Sequence, residues 1–462
     1  MSFSASDPDL AGLGGVNLSR RSLITGGLAL GTTIALAACT PAKQSALITK
    51  GAGNGAITRN VPARPTSFLR TSWSTDPFAE GSYSFLAPSD VGTDARTLLA
   101  APEGPLRFAG EGTSSTAPAT THGALESGRR AAAELADIPG TVLVIGAGFA
   151  GLAAARALVD AGRDVIVLEA RSRNGGRAHT VPFAGAVADL GPSWIHGVTD
   201  NPMAQLATEA GVEMLSFDYD NEIGGSDKAW AFVDELTERA LDASNAEARP
   251  LSELLPDALN ATQQWALSVE VSGEFGGDPS ELAIAALDEG DEILGEDVLL
   301  DKGYGGITDY LAAGLDIRLG WVVSELACGD EGVTVYSADG AELWADLAVV
   351  TLPVGVLRAA SVAFTPPLPS DKVDALAGLG SGLLDKLWLA FDDVFWDAEA
   401  DVINWIDPDN PLLWPFWVNG YKFSGVPVLL AFNSGGVARE LAGWSDDEVV
   451  ASAMAALSAM AG

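Results

Sequence analysis

The sequence predicts an α/β protein in which a Rossmann-like sheet is joined to a second, α+β unit. Three observations carry this. Residues 141–145 form a short β-branched run that leads directly into Gly146-Ala147-Gly148-Phe149-Ala150-Gly151. Residues 152–161 are alanine-rich and read as a helix. Residues 164–168 form a second apolar run that closes on Glu169. Glycines at these places let the chain turn tightly and let a pyrophosphate approach the helix N-terminus, whose unpaired N–H groups favour anions. An acid about 20 residues further on accepts hydrogen bonds from a ribose diol. A strand, a glycine turn, a helix and a second strand ending in an acid together predict a dinucleotide site.

Composition sets the outer limits. Of 462 residues, 48% are hydrophobic and 19% charged, which predicts a large core and excludes a disordered chain. The 62 acidic and 26 basic side chains leave a net charge of −36, which excludes non-specific nucleic-acid binding because phosphate needs a cationic footprint. With two cysteines, Cys39 and Cys328, and three histidines, neither a disulfide framework nor a Cys/His zinc site has enough ligands, and no metal is expected.

The chain opens on an address. Paired Arg20 and Arg21 precede a modest apolar stretch that ends in Leu36-Ala37-Ala38-Cys39, the pattern of a twin-arginine export signal (residues 1–39) with a lipobox-like end. Lipidation at Cys39 would hold the protein at the cell surface or on the periplasmic side. The alternative is a single membrane anchor, but residues 22–38 are short for a span and interrupted by glycine and threonine. Residues 40–65 are small, polar and without an apolar period, and read as a tether, with the globular body beginning near Thr66. No later apolar stretch is long enough to span a membrane.

After Glu169, Arg171, Arg173, Gly175, Gly176 and Arg177 make a strongly cationic stretch within a very acidic protein. A solvated charge run is the plain alternative, yet adjacent glycines imply backbone lying against something. This block resembles the second FAD-contacting loop of the flavin-dependent amine oxidases, a family that includes polyamine oxidases, monoamine oxidases and lysine-specific histone demethylases. The resemblance extends over most of the chain. It implies non-covalently bound FAD held by Gly146, Gly148, Gly151, Glu169, Arg171, Gly176 and Arg177. Leu190-Gly191-Pro192-Ser193-Trp194-Ile195-His196-Gly197 resembles the segment passing over the substrate side of the flavin, with Trp194 at the cofactor. Residues 303–306, 315–319 and 322–326 resemble the return into the FAD domain, where the main chain of Val323 would meet the adenine. Residues 349–357 and 364–369 resemble the crossing into the substrate domain.

The family motif also matches around Lys386, whose counterpart binds a water against flavin N5. Apart from the resemblance, Leu387, Leu389 and Phe391 alternate with other residues, so Lys386 is a cation on an apolar strand, where solvent exposure is the commoner fate. Glu274-Phe275 resembles a Glu-Phe pair lining the tunnel of some polyamine oxidases, where a buried carboxylate would attract a diammonium substrate; a surface loop glutamate is the alternative. His196 corresponds to a polar residue over the cavity, and a structural histidine beside Trp194 is the alternative.

The order of the blocks departs from the family pattern. The block that closes the family chain comes first here, as residues 73–84, Arg107-Phe108-Ala109-Gly110-Glu111 and 121–130, and the chain therefore reads as a circular permutation. A rearranged gene would give the same string. The short link 136–140 between a helix at 125–135 and the strand at 141 requires the joined ends to lie close together. In the family pattern Gly110 and Glu111 face the ribityl or pyrophosphate region, and Thr121 and Ala124 face the flavin O2 edge. Ser82 stands where a covalent-flavin cysteine would be. Tyr83 corresponds to one of two aromatics flanking the amine, and Thr120 stands at the other, leaving a half-open cage. Trp388, Trp396, Trp405, Trp414 and Trp417 read mainly as sheet core.

These readings divide the body into an FAD-binding domain at 66–200 and 303–360 and a substrate domain at 201–302 and 361–462. The implied reaction oxidises the carbon next to a neutral amine to an imine, reduces O2 to hydrogen peroxide and hydrolyses the imine. A polyamine suits the net charge. An L-amino-acid oxidase would need Arg358 or Arg439 in the cavity to hold a carboxylate. A desaturase or porphyrinogen oxidase gives no reason for the Lys386 context. A catalytically inactive, surface-tethered flavoprotein is the alternative outside enzymes.

Overall fold

The structure is a computed structural model that describes residues 55–462; the expected export signal, Cys39 and the first part of the expected tether lie outside the described residues. The glycine turn is built into a five-stranded parallel sheet. Its strands run in the order Ile317–Leu319, Val165–Glu169, Val142–Ile145, Leu347–Val350 and Leu106–Phe108. The central strands Val142–Ile145 and Leu347–Val350 are buried throughout, as expected of parallel strands covered on both faces. Helices Thr121–Ala133 and Phe149–Asp160 pack on one face. On the other lies a four-stranded sheet, Glu342–Ala345, Gly332–Ser337, Val323–Gly329 and Ala363–Thr365, with Leu143, Ile145 and Phe108 meeting Leu326, Val333 and Val335.

The second unit is a six-stranded mixed sheet in the order Ser67–Arg70, Leu384–Ala390, Val428–Ser434, Phe416–Asn419, Val402–Asn404 and Glu222–Ile223. Leu387, Leu389, Leu429 and Ala431 turn one face onto helix Asp446–Ala461. Trp388, Leu430 and Phe432 turn the other toward Phe183, Phe217 and Trp194. Period-2 alternation along Leu384–Ala390 thus puts Lys386 on the inner face with Trp388. Trp396, Trp405, Trp414 and Trp417 are core residues.

Several boundaries differ from the sequence reading. The body begins by Ala56, not near Thr66: Ala56 is fully buried, its carbonyl accepts from Asp397 N at 2.7 Å, and Thr58 N donates to Phe395 O at 2.8 Å. Strand Ser67–Arg70, assigned to the FAD-binding domain, pairs antiparallel with Leu384–Ala390 in the six-stranded sheet. Strand Tyr83–Leu86 pairs with Leu379–Gly382. Conversely, Ala363–Thr365 stays with the FAD-side unit, pairing parallel with Val323–Gly329. These pairings join segments far apart in sequence, which local composition does not encode.

The connection into the glycine strand is tight. Arg163 donates to Leu135 O and Gly140 O, both at 2.8 Å, and Asp346 accepts from Thr141 N at 2.6 Å. The two helices on this face approach so closely that a Cβ on Gly128 would lie 2.1 Å from Ala150 O. Gly128→Ala is expected to cost about 1–3 kcal/mol of unfolding free energy. Gly329→Ala, which meets open space, is expected to stay within about 0.5 kcal/mol of the parent; denaturant unfolding of both variants checks the difference.

Candidate active site

A cavity of about 800 Å³ lies between the two units and runs from Glu169 to Lys386. At its dinucleotide end, Gly146 takes φ +105°, and Gly148 and Gly176 face each other so closely that a Cβ on Gly176 would lie 3.3 Å from Gly148 Cα. Gly151 stands behind this turn and does not line the cavity: its Cβ position is 1.9 Å from Gly146 O, so glycine here serves helix–strand contact. The Glu169 carboxylate is buried and accepts from Ala147 N at 2.7 Å and Arg171 N at 2.8 Å. Each oxygen keeps a further acceptor site. Val323 and Trp321 close this end.

The arginines are sorted by acids from the early block. Arg171 lines the cavity, but its fork is held by Asp76 at 2.8 and 2.9 Å. Burial, and then the charge of Arg171, push the Arg173 pKa down to about 10, which leaves it a cation at neutral pH. Arg177 donates to Glu111 at 2.9 Å and to Ser82 O at 3.0 Å. Glu111 also accepts from Ser84 Oγ at 2.6 Å; that hydroxyl accepts from Arg96 at 2.7 Å, and Arg96 grips Glu289 through two bonds. Burial pushes the Glu111 carboxyl up, but the charges of Arg177 and Arg96 and the bonds from Ser84 and Arg177 outweigh it and hold the pKa below its ordinary value.

Helix Thr121–Ala133 points its N-terminus at the same cavity. Thr120 caps it by accepting from Gly123 N at 2.9 Å, and Thr121 shares a 3.2 Å hydrogen bond with Tyr304, whose hydroxyl donates to Trp194 O at 2.6 Å. Gly110, Glu111, Thr121 and Ala124 therefore line one space with Gly146 and Gly148. Two helix N-termini face it and favour an anionic occupant.

Lys386 stands at the far end, 4% exposed. Its ammonium donates to Asp189 O at 3.1 Å, to Gly191 O and to Ser193 Oγ at 2.5 Å, and lies 5.7 Å from the Trp194 ring. Burial depresses its pKa to about 7 despite the opposing charge of Asp189, whose own carboxyl burial raises to about 6. The lysine is therefore neither solvent-exposed nor held by water alone, because protein groups meet all three of its donors.

Trp194, Tyr219, Phe416 and Phe432 form an aromatic wall beside it, with Trp194 and Phe432 centroids 5.8 Å apart. His196 sits between the two sequence expectations: it lines the cavity and also shares a 3.1 Å hydrogen bond with Asp297 while stacking on Trp194. Tyr83 lines the cavity and donates to Gly273 O at 2.6 Å, with Thr120 also on the lining. Glu274 falls between the two sequence expectations: it lines the cavity yet is exposed, on helix Gly273–Phe275 directly after a π-helical turn, Leu267–Ser272. That turn brings Glu270 to the lining, and Glu222, held by Asn404 at 2.6 Å, joins it. Sequence reasoning missed Glu222, Glu270, Tyr219 and Arg96, which sit in no motif; Asp189 and Ser193 flank or lie within the 190–197 block and gave a positional signal only.

The flavin containing amine oxidoreductase family matches the chain over residues 55–136, 149–223 and 235–462. The chain belongs to this family. Among relatives, polyamine oxidase 4 of Oryza sativa subsp. japonica is 34% identical over 358 residues, covering 70% of this chain and 73% of the relative. Polyamine oxidase 2 of Arabidopsis thaliana is 30% identical, covering 66% and 69%. Lysine-specific histone demethylase 1 homolog 2 of Oryza sativa subsp. japonica is 33% identical, covering 65% of this chain and 43% of that protein. Two solved structures share the fold: a putrescine oxidase mutant redesigned in its cofactor binding (TM-score 0.54, 22% identity, 69% and 81% coverage) and cyclohexylamine oxidase from Brevibacterium oxydans IH-35A (TM-score 0.57, 21%, 69% and 82%).

As a flavin-containing amine oxidoreductase, the chain uses FAD, and its residues fit that group. The facing glycines leave a cradle a side chain would fill, Glu169 retains acceptor sites, and two helix N-termini offer donors. Bound there, the flavin supplies the two-electron oxidation of an amine and the onward reduction of O2. Glu111→Ala strands Arg177 and Ser84 without their shared acceptor. It is expected to lower flavin content and cost about 3 kcal/mol, read as the absorbance ratio of purified protein and its denaturation midpoint. A fully loaded variant of parental stability would refute the role.

Proposed function

We propose that this amine oxidase acts on polyamines. The observation that carries the reading is the charge of the cavity: Glu222, Glu270 and Glu274 line its substrate side. Arg358 bonds instead to Leu376 and Leu379 carbonyls and Arg439 to Glu281, and neither lines the cavity, so neither guanidinium serves as a carboxylate anchor there. The polyamine oxidase relatives support the same substrate class. A net charge of −36 concentrates cationic substrate near the entrance, an effect that weakens with salt.

In this reading the carboxylates bind one ammonium of the chain while the aromatic wall of Trp194, Tyr219, Phe416 and Phe432 excludes water around the reacting carbon. Lys386 supplies positive potential beside the cofactor. Tyr83 and Thr120 flank the amine from the open side, and His196, oriented by Asp297, offers a polar contact. Gly146, Gly148, Gly176, Glu169, Arg171, Arg177, Val323, Gly110, Glu111, Thr121 and Ala124 would hold FAD. Ser82 in place of a cysteine supports non-covalent attachment, and the tight link 134–141, with block 106–133 beside the glycine strand, supports a permuted order.

Arg20, Arg21 and Cys39 support export of the folded flavoprotein and its lipid anchoring. Replacing both arginines by lysine is expected to leave the protein in the cytoplasmic fraction; unchanged distribution on fractionation would remove the signal.

Anaerobic spermidine is expected to bleach the flavin absorbance, with peroxide released in air, whereas L-leucine leaves it oxidised. The reverse pattern would make the chain an amino-acid oxidase. Lys386→Met is expected to keep FAD but slow turnover at least tenfold, about 1.4 kcal/mol; parental turnover would take Lys386 out of the reaction.

A further inference from the structure

The contacts around Lys386 single out Ser193. An ammonium has three N–H donors, and here they meet Asp189 O, Gly191 O and Ser193 Oγ. Two of these acceptors are backbone carbonyls, which accept only. The hydroxyl can do either. When Lys386 is charged, Ser193 must accept from Nζ and turn its own proton elsewhere. When Lys386 is neutral, its two N–H groups suffice for the carbonyls and its lone pair faces Ser193, which then donates. Ser193 is 5% exposed and lines the cavity, so its proton in the charged state is turned toward the cavity.

We propose that Ser193 is a positioning residue that sets the charge state of Lys386 through a hydrogen bond whose direction reverses with protonation, and that it passes the proton between Nζ and the cavity. In the charging direction Oγ receives one proton from an acid in the cavity, a hydronium or the substrate ammonium, which is left as water or neutral amine, and gives its own to Nζ; the charge moves to the lysine and the hydroxyl ends unchanged. The proposal rests on the amine oxidase reading only in placing this exchange beside the reacting amine.

The other charged and titratable groups around the lysine are few. Among the described residues, Asp189 on strand Ala186–Asp189 is the acid that acts on it electrostatically. The Asp189 carboxylate is held by Thr180 Oγ1 and Tyr304 N, and the Tyr304 phenol, driven well above its ordinary value by burial in the first place, is neutral across the accessible range. His196 lies beyond the Trp194 ring. On strand Val428–Ser434, Phe432 faces Lys386. On the opposite side, Asp385 is taken by Thr71 and Trp73 N, and Arg70 by Asp446.

A lysine whose folded pKa, about 7, lies below its free value of 10.5 binds fewer protons folded than unfolded between those limits, so its contribution to stability rises with pH across them. Removing the Ser193 hydroxyl costs the charged lysine a charge-assisted hydrogen bond and the neutral lysine only an ordinary one, so the charged form is penalised more. Unfolding of Ser193→Ala in the full protein is therefore expected to show a larger stability loss at pH 6 than at pH 9, while Ser193→Thr keeps the hydroxyl and restores the parental profile. In a Lys386→Met background the pH dependence of the Ser193→Ala loss should vanish. An equal loss at both pH values, or the same pH dependence without Lys386, overturns the proposal. In the loaded enzyme, the acidic limb of the turnover profile is expected to move in Ser193→Ala by about one pH unit, tenfold in proton activity, with FAD content unchanged. If the stability test succeeds and this limb is unmoved, the Ser193–Lys386 coupling stands and the lysine leaves the catalytic reading.

Discussion

The contact between Glu111 and Arg177 is the interaction on which the site depends. A buried carboxylate is costly alone, and here two guanidiniums and a hydroxyl compensate it. Because Glu111 belongs to block 106–133 and Arg177 to the glycine-rich block, that compensation is available only when both close on one cavity. The chain of bonds continues through Ser84 and Arg96 to Glu289, so the same charges also fasten the loop beside the substrate side of the cavity.

Electrostatics divides the cavity in two. At the dinucleotide end helix N-termini and arginines favour an anion, and at the substrate end carboxylates favour a cation. Lys386, at the far end from Glu169, is a cation within an acidic protein, kept there by two fixed carbonyls and one adaptable hydroxyl. An apolar strand face with a single amine on it is an expensive arrangement unless the amine can shed its proton, and the depressed pKa is the physical sign of that cost.

Much of this was legible in the sequence because it is local. The turn at Gly146, helix Phe149–Asp160, strand Val165–Glu169 ending on its acid, and strand Leu384–Ala390 with Lys386 all follow from residues adjacent in the chain. Glu111, Thr121 and Lys386 reached one cavity as the resemblance implied, although no local pattern pairs them. What stayed hidden is long-range or reciprocal. Nothing near Arg171 announces Asp76, nothing near Arg96 announces Glu289, and Glu222 and Glu270 become cavity acids only through the pairing with strand Val402–Asn404 and the π-helical turn. The sequence left Glu274 open between a buried tunnel carboxylate and a surface glutamate, because a motif records identity and not the direction in which a short helix turns.

Strand Ser67–Arg70 completes the edge of the sheet that carries Lys386, and the adjoining Thr71 accepts from Lys386 N across 315 residues at 2.8 Å. During synthesis this strand leaves the ribosome before any other described strand, yet its partner Leu384–Ala390 follows only after the strands up to Leu379–Gly382 have been made. The loop to be closed is among the longest of the described pairings, so this edge is joined late and at a high entropic cost. Until then a strand with unpaired amides travels ahead of the rest, and the six-stranded sheet cannot close this edge before residues 384–390 are made.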